Sequence, residues 1–182
     1  MKRATLLLAL CSITALAADP AAVVPAADLA RKWKRTKSLA DPVEKLRKGL
    51  TLETGGTTTQ TVEVKVDADT EERFQNIQFA FDSAELLPGI SQTQITEIAK
   101  AMSMAGTEKF LIEGHTCDLG GDSHNLTLSQ DRALAVKQRL IALGVPAERL
   151  QVIGFGESDP ATTNTDETAR QQNRRVQIFR KL

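Results

Sequence analysis

Residues 110–133 read FLIEGHTCDLGGDSHNLTLSQDRA, and the spacing of their apolar residues changes along the way. Phe110 and Ile112 alternate, as one face of a strand does. The chain then enters a loop, Gly114-His115-Thr116-Cys117-Asp118-Leu119-Gly120-Gly121. Beyond it Thr127 and Gln130 stand at a capping-box spacing, and Ala133, Val136, Leu140 and Leu143 fall on one helical stripe. Gly144, with Pro146 behind it, stops that helix. A strand that feeds a loop and then a helix is half of a crossover unit, so the partner strand should lie downstream.

It does: Leu150 to Ile153 reads as a strand ending in Gly154-Phe155-Gly156. A polar loop follows, and then Arg175 to Phe179, with Val176 and Ile178 on one face. Upstream, Phe74, Ile77, Phe79 and Phe81 predict a strand ended by Asp82-Ser83. Ile95, Ile98, Ala99 and Met102 predict a helix closed by Gly106. The order strand, helix, strand, helix, strand, strand predicts an α/β sandwich, with one mixed sheet and helices packed on it.

The residues before about 70 are different in kind. Lys2 and Arg3 precede an apolar run from Ala4 to Leu16 that ends in small residues around Ala15 to Ala18, the pattern of a secretory signal peptide over residues 1–17. The run is too short to span a bilayer. Cys11 lies within this leader, and its loss on cleavage would leave Cys117 without an intramolecular disulfide partner. Ala18 to Ala27 reads as a leader without a fold of its own. The basic run Arg31-Lys32-Trp33-Lys34-Arg35-Thr36-Lys37 reads either as a solvated helix face or as a contact for an anionic membrane surface or an outer-membrane protein. Asp41-Pro42-Val43-Glu44 resembles a helix start, with Val43, Leu46 and Leu50 on one face. Thr61 to Asp67 alternates as a half-buried strand that would join the edge of the following domain or another chain. The expected organisation is a signal peptide over 1–17, a partly ordered extension over 18–70 and one domain over 71–182.

The whole chain balances 23 basic against 23 acidic residues. Loss of the leader would remove Lys2 and Arg3 and no acid. That balance argues against general nucleic-acid binding, which depends on clustered phosphate neutralisation.

The candidate chemistry lies in the loop and the helix after it. Counted from Thr127, Arg132 stands in the first helical turn, where the backbone dipole disfavours a cation and favours an anion. Either a ligand carboxylate or one of Asp131, Asp118 and Asp122 should answer it. His115, Cys117, Asp118, Asp122 and His124 are metal-binding residue types, but their spacing matches no paired-ligand motif, so no metal is expected. Nothing in the spacing suggests a nucleophile–base–orienter set or paired catalytic carboxylates, so no enzyme activity and no cofactor are expected.

Ile77-x-Phe79-x-Phe81-Asp82-Ser83, Gly114-His115-Thr116, Asn125-x-x-Leu128-Ser129-x-x-Arg132-Ala133, Gly154-x-Gly156 and Asn173-Arg174-Arg175-Val176 occur in the order and spacing of one family. In these residues the chain resembles the OmpA-like peptidoglycan-binding domains. The resemblance implies a periplasmic protein that holds peptidoglycan non-covalently through the diaminopimelate of the stem peptide, anchoring the envelope. It also implies ligand contacts from Asp82, Thr116, Cys117, Asp118, Asn125, Leu128, Arg132 and Arg174. Arg132 would hold a carboxylate, Thr116 and Asn125 would orient it, and Arg174 would add a second positive group. Arg175, the next residue on a strand, would point the other way.

The chain departs from the family at one place: Cys117 stands where an aspartate usually follows His-Thr. A neutral thiol supplies no carboxylate charge, and Asp118 is the nearest acid in sequence. Two outcomes stay open: the site binds with altered ligand chemistry, or the fold persists as an envelope assembly or interaction protein that has lost the ligand.

Overall fold

The computed structural model describes residues 22–34, 43–52 and 59–182. The expected leader over residues 1–17, Cys11 included, lies outside them, as do Arg35 to Lys37 and the Asp41-Pro42 pair. Four helices, α1 (Ala26–Trp33), α2 (Ile90–Met104), α3 (Asp122–Ala142) and α4 (Glu167–Asn173), surround five strands, β1 (Glu44–Leu52), β2 (Thr59–Phe74), β3 (Phe110–His115), β4 (Leu150–Gly156) and β5 (Val176–Lys181). The strands form one mixed sheet in the order β1-β2-β5-β3-β4. Only β3 and β4 run parallel, as the crossover through α3 requires. The sheet curls until its edges touch at one antiparallel pair, Leu50 with Gly154.

Alternation along the strands divides the core in two. Phe110, Ile112, Val152, Val176 and Ile178 face the helices and pack with Ile95, Ile98, Met102, Val136 and Leu140. Leu111, Ile153, Phe155 and Phe179 point the other way, into the curl, where Val64 and Val66 of β2 close over them. The mixed α/β sheet and the β3–α3–β4 crossover are as the sequence predicts.

The N-terminal extension differs. Residues 43–52 form a strand, paired with β2 from Glu44–Asp67 to Leu52–Thr59. A helix there would have been a few turns long and marginal alone. The ladder also turns Arg47 inward while leaving Val43 and Leu46, two of the three residues of the expected apolar helical face, more than half exposed. Thr61 to Asp67 is a strand as expected, but within a longer β2 that lies between β1 and β5 rather than at an edge. The strand expected from Phe74 to Phe81 ends at Phe74. Past it, the side chain of Asn76 bonds Ala22 O and Gln94 Oε1, Ser91 Oγ accepts from Gln78 N, and only a single bridge, Phe79 with Leu86, remains.

Residues 22–34, expected as a leader and a solvated basic face, are docked. Gln94 bonds both the N–H and the C=O of Val24, and α1 sets Ala26, Leu29, Ala30 and Trp33 into the main core. The apolar residues of α1 repeat at three- and four-residue intervals, so the basic residues occupy only its outer face. Lys32 is tied down as well, to Glu72 and to Glu71 O.

Helix α3 starts at Asp122, six residues before the capping-box reading placed it. Gly120, at φ +110°, turns the chain and Gly121 caps the helix. Asp122 lies in the first turn, where an acid is favoured. Thr127 is then interior, its hydroxyl bonded back to Ser123 O. Helix α4, absent from the sequence reading, is capped by Asp166, whose side chain accepts from Ala169 N at 2.8 Å.

Three glycines let α3 sit close enough to place Asn125 and Arg132. A Cβ on Gly114 would lie 1.9 Å from Ser129 O, and one on Gly154 2.7 Å from Ser129 Oγ. At Gly156 the φ is +55° and its N–H donates to Ser129 Oγ at 2.8 Å. Gly114→Ala should therefore force the helix off the sheet and lower stability by about 1–3 kcal/mol. A thermal melt that does not move would contradict this close approach.

Candidate functional site

A cleft of about 690 Å³ opens between residues 79–82, the loop after β3, the first turns of α3 and the two ends of α4. Its size suits a small-molecule group. Asp82, Thr116, Cys117, Asn125, Leu128, Arg132 and Arg174 all line it, so residues from four separate stretches of sequence converge. Asp118 does not line it. Its carboxylate pairs with Arg170 Nε at 3.0 Å, which takes it out of play as a replacement acid, since adjacent residues leave the backbone in different directions.

Arg132 is the centre of the cleft. It is buried, its Nε donates to Ser83 O at 3.0 Å, and its guanidinium lies 5.1 Å from the Phe79 ring. Its position well inside α3 removes the helix-dipole argument for an anion. A stronger one replaces it: among the described residues no carboxylate is within ion-pair distance, and neither terminal nitrogen bonds a protein acceptor. Asp131, Asp118 and Asp122 do not answer it. Burial, and after it the neighbouring Arg174, push its proton affinity down, while Asp82 and Cys117 partly offset them. A buried cation without a counter-charge is costly, and an anionic ligand removes that cost.

The other groups are more committed. Arg174 pairs with Glu167 at 2.5 Å, and its Nη1 reaches Cys117 Sγ at 3.6 Å. Asn125 gives its amide hydrogens to Cys117 O and Glu157, so it shapes the loop that presents Thr116 and Cys117. Thr116 Oγ1 is buried with no partner. Asp82, at φ +48°, pairs with His124 at 2.6 Å on the outer wall. Arg175 does not line the cleft; it lies just before β5, and its terminal nitrogens reach Asn173 O, Asp159 O and Gln177.

Of the metal-type residues in the loop, Cys117, Asp118 and His124 turn to different partners, Arg174, Arg170 and Asp82. A different trio, Glu113, His115 and Asp159, does bring one ligand atom each to within 4.8 Å of one another. Arg47 already fills it, bonding both oxygens of Glu113 at 2.7 and 2.6 Å and Asp159 at 2.6 Å. Sequence reasoning missed this buried group. The inward position of Arg47 becomes visible only once β1 is known to be a strand.

His115 is sealed beneath Phe155, the rings 5.2 Å apart and nearly parallel. Burial holds its imidazole below the ordinary range, against the pull of Glu113. The unfolded chain therefore takes up this proton near pH 6.5 while the folded chain does not. Stability is full above that pH and falls as the pH drops towards the folded value. Denaturant midpoints measured from pH 7.5 down to 5 should decline, and His115→Gln should flatten the decline. A flat wild-type profile would contradict the burial argument.

Among the described residues no helix is long and apolar enough to cross a membrane. The peptidoglycan-associated lipoprotein of Haemophilus influenzae is 34% identical over 109 residues, 60% of this chain and 71% of that protein. Outer membrane porin F of Pseudomonas fluorescens is 36% identical over 102 residues, where the chain spans about a third of the relative's length. In structure, the peptidoglycan-associated lipoprotein from Burkholderia pseudomallei superposes with a TM-score of 0.53 at 30% identity, covering 57% of this chain and 87% of that one. The OmpA family profile matches residues 78–174, which takes in the cleft from Phe79 to Arg174. With more than half of its length matched, the chain belongs to the OmpA family.

Proposed function

We propose that this protein is a periplasmic, non-enzymatic anchor that binds peptidoglycan non-covalently through the diaminopimelate of the stem peptide. The observation that carries the reading is Arg132: a buried guanidinium with free donors in an open cleft, ion-paired with no acid among the described residues. A ligand carboxylate completes it with a forked, charge-assisted pair. The names of the relatives, peptidoglycan-associated lipoproteins among them, point to the same polymer.

Diaminopimelate brings an ammonium group as well as a carboxylate. Cys117 offers no carboxylate to meet that ammonium, and Asp118 is engaged with Arg170. Asp82 on the outer wall and the partnerless hydroxyl of Thr116 remain to receive it. Leu128 contributes apolar wall. Residues 22–34 and 43–52 are largely used in the protein's own core and sheet, which leaves the exposed side chains of Leu46 on β1 and of Val43 just before it for any envelope partner of the extension.

Sedimentation with purified sacculi tests the reading. The protein should pellet with them, and free meso-diaminopimelate should release it. Failure of the folded wild type to pellet would favour the alternative, an assembly protein that keeps the fold without the ligand.

A further inference from the structure

A second, smaller hollow of about 240 Å³ adjoins the cleft and shares Phe79, Arg132 and Arg174 with it. Its chemistry is different. The cleft has Asp82 and Glu167 in its walls, whereas no carboxylate lines the hollow. Three arginines do, Arg132, Arg174 and Arg175, together with His115, Gln75, Gln78 and Gln171.

Two of these groups are buried with polar atoms unsatisfied. Arg175 is buried and its Nε has no partner, although its terminal nitrogens bond Asn173 O, Asp159 O and Gln177. Neither ring nitrogen of His115 makes a hydrogen bond, and Nε2 lies 3.5 Å from Glu113 Oε2. Glu113 is bonded by Arg47 and Glu167 by Arg174, and the carboxylates that act on Arg175, those of Asp159, Glu113 and Glu71, stand outside the lining. The guanidinium of Arg175 is pushed down to about 10, chiefly by burial. Unpaired buried donors of this kind are rare, because each carries its full desolvation cost until something accepts from it.

We infer that this hollow is a second oxyanion site, which takes a small carboxylate or phosphate group on Arg132, Arg174 and Arg175. Arg132 has two free terminal nitrogens and lines both cavities, so it is placed to serve one anion in each. The site does not depend on the peptidoglycan reading. If that reading holds, the hollow selects ligands with a second anionic group over those with one.

Titration of the full chain with inorganic phosphate and, separately, with acetate, at constant ionic strength set with chloride, tests this without any sacculus. Nitrogen NMR should show the Arg175 Nε–H shifting saturably with at least one of the two. Phosphate alone would identify a phosphoester group and acetate a carboxylate. Gln78→Glu places a carboxylate in the lining from an exposed position, and should weaken the saturating anion at least about tenfold by like-charge repulsion. Gln78→Leu, which adds no charge, should keep it. Linear shifts with both anions, or equal affinity in Gln78→Glu and wild type, would overturn the proposal.

Discussion

Arg132→Ala should abolish sedimentation with sacculi while leaving the fold intact. Removing one side of a desolvated, charge-assisted pair costs about 2–5 kcal/mol, which is on the order of 30- to several-thousand-fold in affinity. The fold should tolerate the change because in the free protein the guanidinium is buried without an acid to meet it. Its removal sacrifices one bond to Ser83 O and the contact with Phe79. Arg132→Met, which keeps the apolar stem, should match or exceed wild-type melting temperature and still lose the sacculus. Arg132→Lys keeps the charge without the fork and should fall between. A binding residue that destabilises its own free state separates the two readouts. A purely structural arginine would lose stability instead.

Trp33→Ala should unfold the protein more readily than any other single change in the extension. The indole is fully buried, its centroid is 5.0 Å from that of Phe110, and its N–H donates to Thr70 O at 3.1 Å. Thr70 in turn bonds Asp67 O and Arg180 N at the bulge where β2 meets β5. Truncating a buried aromatic of this size costs about 3–5 kcal/mol. For a chain of this length that is roughly 2–4 °C of melting temperature per kcal/mol. A solvated tryptophan on a detached leader would leave the melt unchanged, and that outcome would contradict the docking of α1.

Physical range explains which elements could be read from the sequence. The β3–α3–β4 unit carries its own periodicity and its own glycine stops, so local patterns sufficed. Residues 43–52 carried helix signals, yet their fate was set by β2, whose pairing is a tertiary fact. Trp33 sits in a basic run, and only the position of Phe110 shows that it points inward.

The site was legible as a set of residues more than as a mechanism. Seven of the residues expected from the family pattern do share one cleft. The reason given for an anion at Arg132, a place in the first helical turn, did not survive the earlier start of α3 at Asp122. Its replacement, an unmatched buried charge, depends on three-dimensional neighbours that no spacing encodes. The same holds for Asp118, adjacent to Cys117 in sequence and turned to Arg170 in space.

The central claim is that Arg132 in this cleft holds a carboxylate of the stem peptide. The most direct measurement is a titration of the isotopically labelled protein with a soluble stem-peptide fragment ending in meso-diaminopimelate, followed by NMR. Saturable shifts confined to Thr116, Cys117, Leu128, the Arg132 Nε–H and Asp82, and absent from Arg132→Ala, are the predicted result. Saturable binding that leaves these residues unmoved, or that persists unchanged in Arg132→Ala, would contradict it.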